Sequence, residues 1–148
     1  MKRLGALGVV LLLLAVPGFS QESTADDPAL YAIGAIGASN LYFSYVVLGT
    51  VADGFVSQGY SPELVQALAE ETIALNQTSI EALAPVSGDR GISAADRQVV
   101  QQIIEAHSTL ILQAESLLDY INDDASAAEY QRHRRTAWEQ ISSILALE

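Results

Sequence analysis

Few residues in this chain could do chemistry, and most of them stand where a helix would ordinarily bury leucine. His107 falls in a stripe with Val100, Ala114, Leu118 and Ile121, apolar at every helical neighbour. Asn40 and Ser44 interrupt a stripe of Ile33, Ile36, Gly37, Phe43, Val47 and Leu48. Thr72, Asn76 and Ser79 interrupt a second, and Arg134 with flanking His133 lies beside Tyr130, Ala137 and Trp138 in a third. A buried polar group without a hydrogen bond costs on the order of 1–3 kcal/mol, so each of these residues needs a partner.

Two kinds of partner are open to them. Counted at about 1.5 Å per residue from the end where the first helix begins, Asn40, Asn76 and His107 reach heights of roughly 17, 19 and 20 Å in an up-down bundle. On one reading they bond one another, or a trapped water, and fix the helix register. On the other, Gly37, Asn40, Ser44, Asn76 and His107 line a small pocket between helices, and burial lowers the His107 pKa by desolvation. Arg134 points inward beside Trp138 about 10 Å away, and an inward guanidinium needs a carboxylate or a ligand anion. The flanking Arg132 and Arg135 point outward, as counter-charge for Asp119, Asp123, Asp124 and Glu129.

Other chemistries fail on residue type and spacing. A di-iron bundle needs inward Glu on four helices with two Glu-x-x-His pairs, whereas Glu105 and His107 are two apart and face different sides. Haem ligation through Met or paired His fails, because Met1 is the sole Met and His107 and His133 fall at different heights. A lone zinc held by His133 and Glu129 lacks further ligands. There is no cysteine, no Gly-rich phosphate loop and no Ser/His/acid spacing, so the expectation is a non-enzymatic protein without cofactor or metal. Asn76-Gln77-Thr78 matches an N-glycosylation sequon, but at mid-helix.

The elements that must position these residues are helical throughout. Asp27-Pro28 reads as an N-cap followed by proline at the first helical position, opening a helix to about Val56 that Gly59 ends by taking positive φ. Ser61-Pro62-Glu63 repeats the start signal, and that helix runs to about Ala84, where Pro85 stops it. Ser93 with Asp96 reads as a capping-box variant opening a third helix to Ile121, and Ser126 with Glu129 as a second box opening a fourth. Its inner face is expected to be Tyr130, Ala137, Trp138, Ile141, Ile144 and Leu145. No alternating β-branched run occurs, so the fold class is all-α, an up-down-up-down four-helix bundle spanning residues 28–148.

Residues 1–20 have the form of a cleaved signal peptide: Lys2 and Arg3, an apolar run from Leu4 to Val16, and Gly18 and Ser20 before the cleavage point. Residues 21–27 are an acidic leader. After cleavage the chain keeps five Arg against eighteen Asp and Glu, a net charge of −13. That disfavours nucleic acid and anionic lipid as partners and suits a periplasmic or secreted protein.

The first helix is the exception to this acidity, since no charge occurs from Pro28 to Ala52. Its length suits a membrane span over 29–52. Against that, Asn40 sits at its centre, Ser39, Ser44 and four small residues dilute it, and neither end carries a basic anchor. Opposite the Asn40 stripe runs a second seam with Tyr31, Tyr42 and Tyr45, which suits a homo-oligomer or partner interface. The leading expectation is an exported bundle that binds or senses a small or amphipathic ligand between helices. The alternatives are an interaction subunit assembling through the tyrosine seam, and a membrane-tethered protein.

Overall fold

A computed structural model of the chain describes residues 28–123 and 126–147. The expected signal peptide, the acidic leader and the Asp27 cap lie outside the described residues. Four helices make up the fold: α1 (Pro28–Val56), α2 (Pro62–Gly88), α3 (Ala94–Asn122) and α4 (Ala127–Leu145). Among the described residues there are no strands, in accord with the all-α expectation.

Local signals explain the starts of α2 and α3. Ser61 caps α2 in extended conformation, its hydroxyl accepting from the Leu64 N–H at 3.4 Å, with Pro62 at the first helical position. Ser93 caps α3 in the same way: its Oγ accepts from the Asp96 N–H at 3.1 Å and donates to Asp96 Oδ2 at 2.6 Å.

Three helix-end expectations are corrected. Pro85 lies inside α2, which runs on to Gly88 because Val86 packs its last turn against the core. Arg97 also ties that end down, donating to Ser87 O at 3.1 Å and Asp89 O at 2.7 Å, carbonyls that a helix terminus leaves unsatisfied. Ser126 does not cap α4: its backbone is in the right-handed helical region and its side chain makes no capping bond. Glu129, expected to complete that box, instead accepts from Arg132 at 2.8 Å. At the end of α1 the positive φ falls on Gln58 (60°), not Gly59. Gly59 N bonds Gly54 O at 2.9 Å and Gln58 N bonds Phe55 O at 2.9 Å, the paired bonds of a Schellman ending in which the left-handed residue is Gln58. The end of α4 repeats this at Ala146, φ 50°.

Between these ends one core runs through the bundle. Leu41 and Leu48 of α1, Val65 of α2, Ile103, Leu110 and Leu117 of α3, and Tyr130 and Ile141 of α4 are fully or almost fully buried. Side chains of this kind stabilise by roughly 1.5–3 kcal/mol each. Both α1 and α3 pack against all three other helices, whereas α2 and α4 do not meet. The closeness of α1 to α3 depends on Gly37, where an added Cβ would sit 3.3 Å from Ile103 Cγ2.

α1 buries only part of its circumference. Leu30, Gly34, Ala38, Leu41, Ser44 and Leu48 face the core, while Ile36, Phe43, Val46, Tyr31 and Tyr42 are exposed. The helix is therefore not apolar all round because it is buried all round; one side of it is an apolar surface.

Candidate functional site

The expected polar layer forms as two pairs rather than one cluster. His107 Nδ1 lies 2.6 Å from Asn76 Oδ1, and Asn76 Nδ2 donates to Thr72 O at 2.7 Å. Both residues are fully buried. Because the amide oxygen can only accept, the imidazole carries its proton on Nδ1, and Nε2 faces the interior with no hydrogen bond. Burial lowers the His107 pKa from 6.5 to about 4. Asn40 stands apart, half-buried, donating to Ser79 Oγ at 2.9 Å, and Ser79 in turn donates to Leu75 O at 3.0 Å. Gly37 does not open space beside the imidazole, since it is filled against Ile103.

Ser44 is 1% exposed and its hydroxyl makes no hydrogen bond. It borders a groove of about 390 Å³ between α1 and α2. Phe43, Val47, Leu68 and Leu75 supply the apolar walls, and buried Thr72 also lines it, its hydroxyl donating to Leu68 O at 2.7 Å. Exposed Glu71 is the groove's one charge. Phe43 also borders a shallower concavity with Ala35, Ile36, Ser39 and Asn40, so the two depressions share one aromatic wall. A third depression, between α3 and α4, carries Glu105 and Glu139 among polar neighbours.

Arg134 finds its counter-charge in the protein. Its Nη1 donates to Asp53 Oδ1 at 3.1 Å and its Nη2 to Asp53 Oδ2 at 3.5 Å, across Gly49, whose hydrogen leaves room for the guanidinium. Burial opposes the Arg134 charge, but Asp53, Tyr130 and Tyr45 outweigh it and hold the pKa above its usual value. Trp138, expected inward, is 39% exposed and lies against Tyr45 with ring centroids 5.3 Å apart. Tyr45 thus belongs to the α1–α4 contact, while Tyr31 and Tyr42 are about half exposed. Tyr130, whose hydroxyl donates to Leu48 O at 3.3 Å, has its pKa raised by burial.

Three buried polar residues were missed in the sequence, Thr109, Gln113 and Ser116, of which the first and last bond carbonyls of their own helix. Gln113 is fully buried and neither amide atom makes a hydrogen bond. Its spacing of three from Leu110 and four to Leu117 was the available signal. His133 Nε2 lies 3.7 Å from Glu129, and among the described residues no three His, Asp or Glu gather as a metal site would require.

What fold and site define is an all-α bundle with an apolar core that holds a few buried polar residues, and an apolar groove on its α1–α2 side. Compared with known proteins, the chain matches no family model, no curated sequence and no solved structure.

Proposed function

We propose that the chain is an exported, non-enzymatic protein with up-down-up-down topology that binds an amphipathic ligand between α1 and α2. The short connections and the contacts between successive helices support the topology. The binding reading rests chiefly on the Ser44 hydroxyl, buried without a hydrogen bond beside an otherwise apolar groove. A ligand whose apolar body lies along Phe43, Val47 and Leu75 covers their exposed surface, and a shift of these side chains that admits its polar atom to the buried Ser44 hydroxyl removes the cost of that unmade bond. In the proposed assignment Asn76 and His107 hold the helix register behind the groove, and Asn40 closes one end of it.

Native mass spectrometry of the protein from its own host, followed by amide and methyl NMR with the retained molecule, tests this reading. A bound mass that perturbs Ser44 and Leu75 is expected. A ligand-free protein whose spectra ignore added amphiphiles would sink it.

The exposed Tyr31 and Tyr42 favour a second reading, an interaction subunit assembling through α1. A tethered protein with α1 as its span also remains a proposal, since α1 is long and apolar enough to cross a membrane. The Asn40–Ser79 bond and the Arg134–Asp53 pair both join α1 to the bundle, which supports packing over insertion.

A further inference from the structure

Two buried polar atoms near mid-bundle have complementary unmet needs. The Ser44 hydroxyl has a proton to donate, and His107 Nε2, on a ring whose proton sits on Nδ1, has a lone pair to receive one. Each is buried and neither makes a hydrogen bond, so the two do not bond one another. Contacts toward both ends of α1 show how near they come along the bundle. Gly37 packs on Ile103 and Phe55 on Tyr120, the same offset between α1 and α3 to within one residue. That offset sets Ser44 level with Thr109 and Leu110, about 4 Å along the axis from His107. α2 meets both at the same place: Ser44 borders the groove with Thr72 and Leu75, and Asn76, next along that stretch, holds His107 Nδ1 at 2.6 Å. Gln113, the other fully buried side chain without a bond, lies beside Tyr130 of α4 instead.

A group standing between the two atoms serves both only if it accepts from Ser44 and donates to Nε2. A hydroxyl does both at one oxygen. An ether accepts but leaves Nε2 without a donor, and an ammonium donates but leaves the Ser44 proton without an acceptor. A negative head is disfavoured on separate grounds. Burial keeps His107 uncharged at neutral pH. From residue 28 to residue 89 there is no Lys, Arg or His, Arg134 is engaged by Asp53, and Arg97 by the carbonyls at the end of α2. A carboxylate would therefore lie buried without counter-charge, beside a groove whose one charged residue is Glu71.

We infer that the ligand of the α1–α2 groove carries a neutral hydroxyl head, which accepts from Ser44 and donates to His107 Nε2 while its apolar chain lies on Phe43, Val47, Leu68 and Leu75. This rests on the ligand-binding reading of the groove and adds the chemical class of the ligand. The head reaches both buried atoms through the side-chain shift that admits it to Ser44. His107 then bonds through both ring nitrogens, so the residue that joins α3 to α2 also selects the head. A water molecule offers the same hydroxyl chemistry, and the test separates the two sources.

The test uses the natural chain, isotope-labelled at its histidine nitrogens, and four amphiphiles with one and the same alkyl chain: octanol, octyl methyl ether, octanoate and octyltrimethylammonium. At neutral pH, isothermal titration is expected to show octanol binding at least ten-fold more tightly than any of the others. NMR is expected to show the His107 Nε2 resonance moving on octanol alone. Ser44→Ala, which removes a hydroxyl that bonds nothing in the structure, should bring octanol down to the affinity of the ether while the circular dichroism spectrum stays unchanged. Should that variant not fold, the His107 resonance of the natural chain decides the point. Equal affinity for octanol and the ether, tighter binding of octanoate, or octanol binding with Nε2 unmoved would each overturn the hydroxyl head, while shifts at Phe43 and Leu75 would keep the groove a ligand site. An Nε2 already hydrogen-bonded in the free protein, to a water that octanol does not displace, would assign the hydroxyl to trapped water and also overturn the inference. Silence of the groove toward all four would refute the ligand-binding reading along with it.

Discussion

His107 Nδ1 and Asn76 Oδ1 lie 2.6 Å apart in a fully buried contact that joins α3 to α2, and Asn76 spends its amide protons on its own helix. Each residue thus fixes the other's orientation. Asn76→Ala removes the acceptor and leaves the imidazole N–H buried without a bond, besides opening a cavity. A loss of about 2–4 kcal/mol in urea-unfolding free energy is expected. A change below about 0.5 kcal/mol would mean that the pair carries little of the helix register.

Burial of the same imidazole makes stability depend on pH. His107 has a folded pKa of about 4 against 6.5 unfolded, so the unfolded chain takes up the proton first as pH falls. Its contribution is fully present above 6.5 and is lost progressively as pH drops from 6.5 toward 4. The span corresponds to about 3 kcal/mol. Urea midpoints at about pH 7.5 and about pH 4.5, for the natural chain and for His107→Leu, isolate the effect, because the variant lacks this component of the slope. An imidazole resonance titrating near 6.5 in the native protein would contradict the assignment.

Two helix ends place a residue with a side chain in the left-handed region, Gln58 and Ala146. Glycine tolerates that conformation without the Cβ penalty, so Gln58→Gly should stabilise the protein by about 0.5–1 kcal/mol and raise the melting temperature. Gly59→Ala, one residue on, without positive φ and with only ordinary contacts for the added Cβ, should be tolerated and gain up to about 1 kcal/mol through the unfolded chain. Differential scanning calorimetry of both variants checks the turn, and a marked loss in Gly59→Ala with none gained in Gln58→Gly would refute the Schellman register.

Asp53 and Arg134 join α1 to α4 across Gly49, but the carboxylate is largely exposed. Asp53→Asn is therefore expected to cost less than about 1 kcal/mol, and less again in high salt. Arg134→Leu also removes the guanidinium that covers Gly49 and should cost more. The reverse order in chemical denaturation would show that the ion pair, rather than the packing of its stem, holds α4 in place.

Much of the architecture was legible from residue spacing. The Ser61 and Ser93 caps and the burial of Asn76 and His107 follow from periodicity and local capping chemistry, which act within a few residues. The misreadings share a different cause. Pro85 is carried inside α2 because Val86 finds the core and Arg97 satisfies the carbonyls beyond it, contacts made by residues the local sequence does not include. Ser126 had the right type for a cap, but its backbone is already helical, so its hydroxyl is misplaced. Gly59 had the freedom to turn the chain, yet the bonds to Gly54 and Phe55 set the turn one residue earlier.

The polar residues divide in the same way. The sequence alone determined that Asn40, Ser44, Asn76, His107 and Arg134 need partners and that α1 carries no charge before Asp53, because burial cost and composition are properties of the residues themselves. Only the tertiary structure decided which partner each obtained. Asn76 took His107, Asn40 took Ser79, Arg134 took Asp53, and Ser44 was left buried without a hydrogen bond. Hydrogen-bond pairing depends on distances of a few tenths of an ångström between helices, and those are set by the packing of Gly37 on Ile103 and of the whole core, not by spacing along one chain.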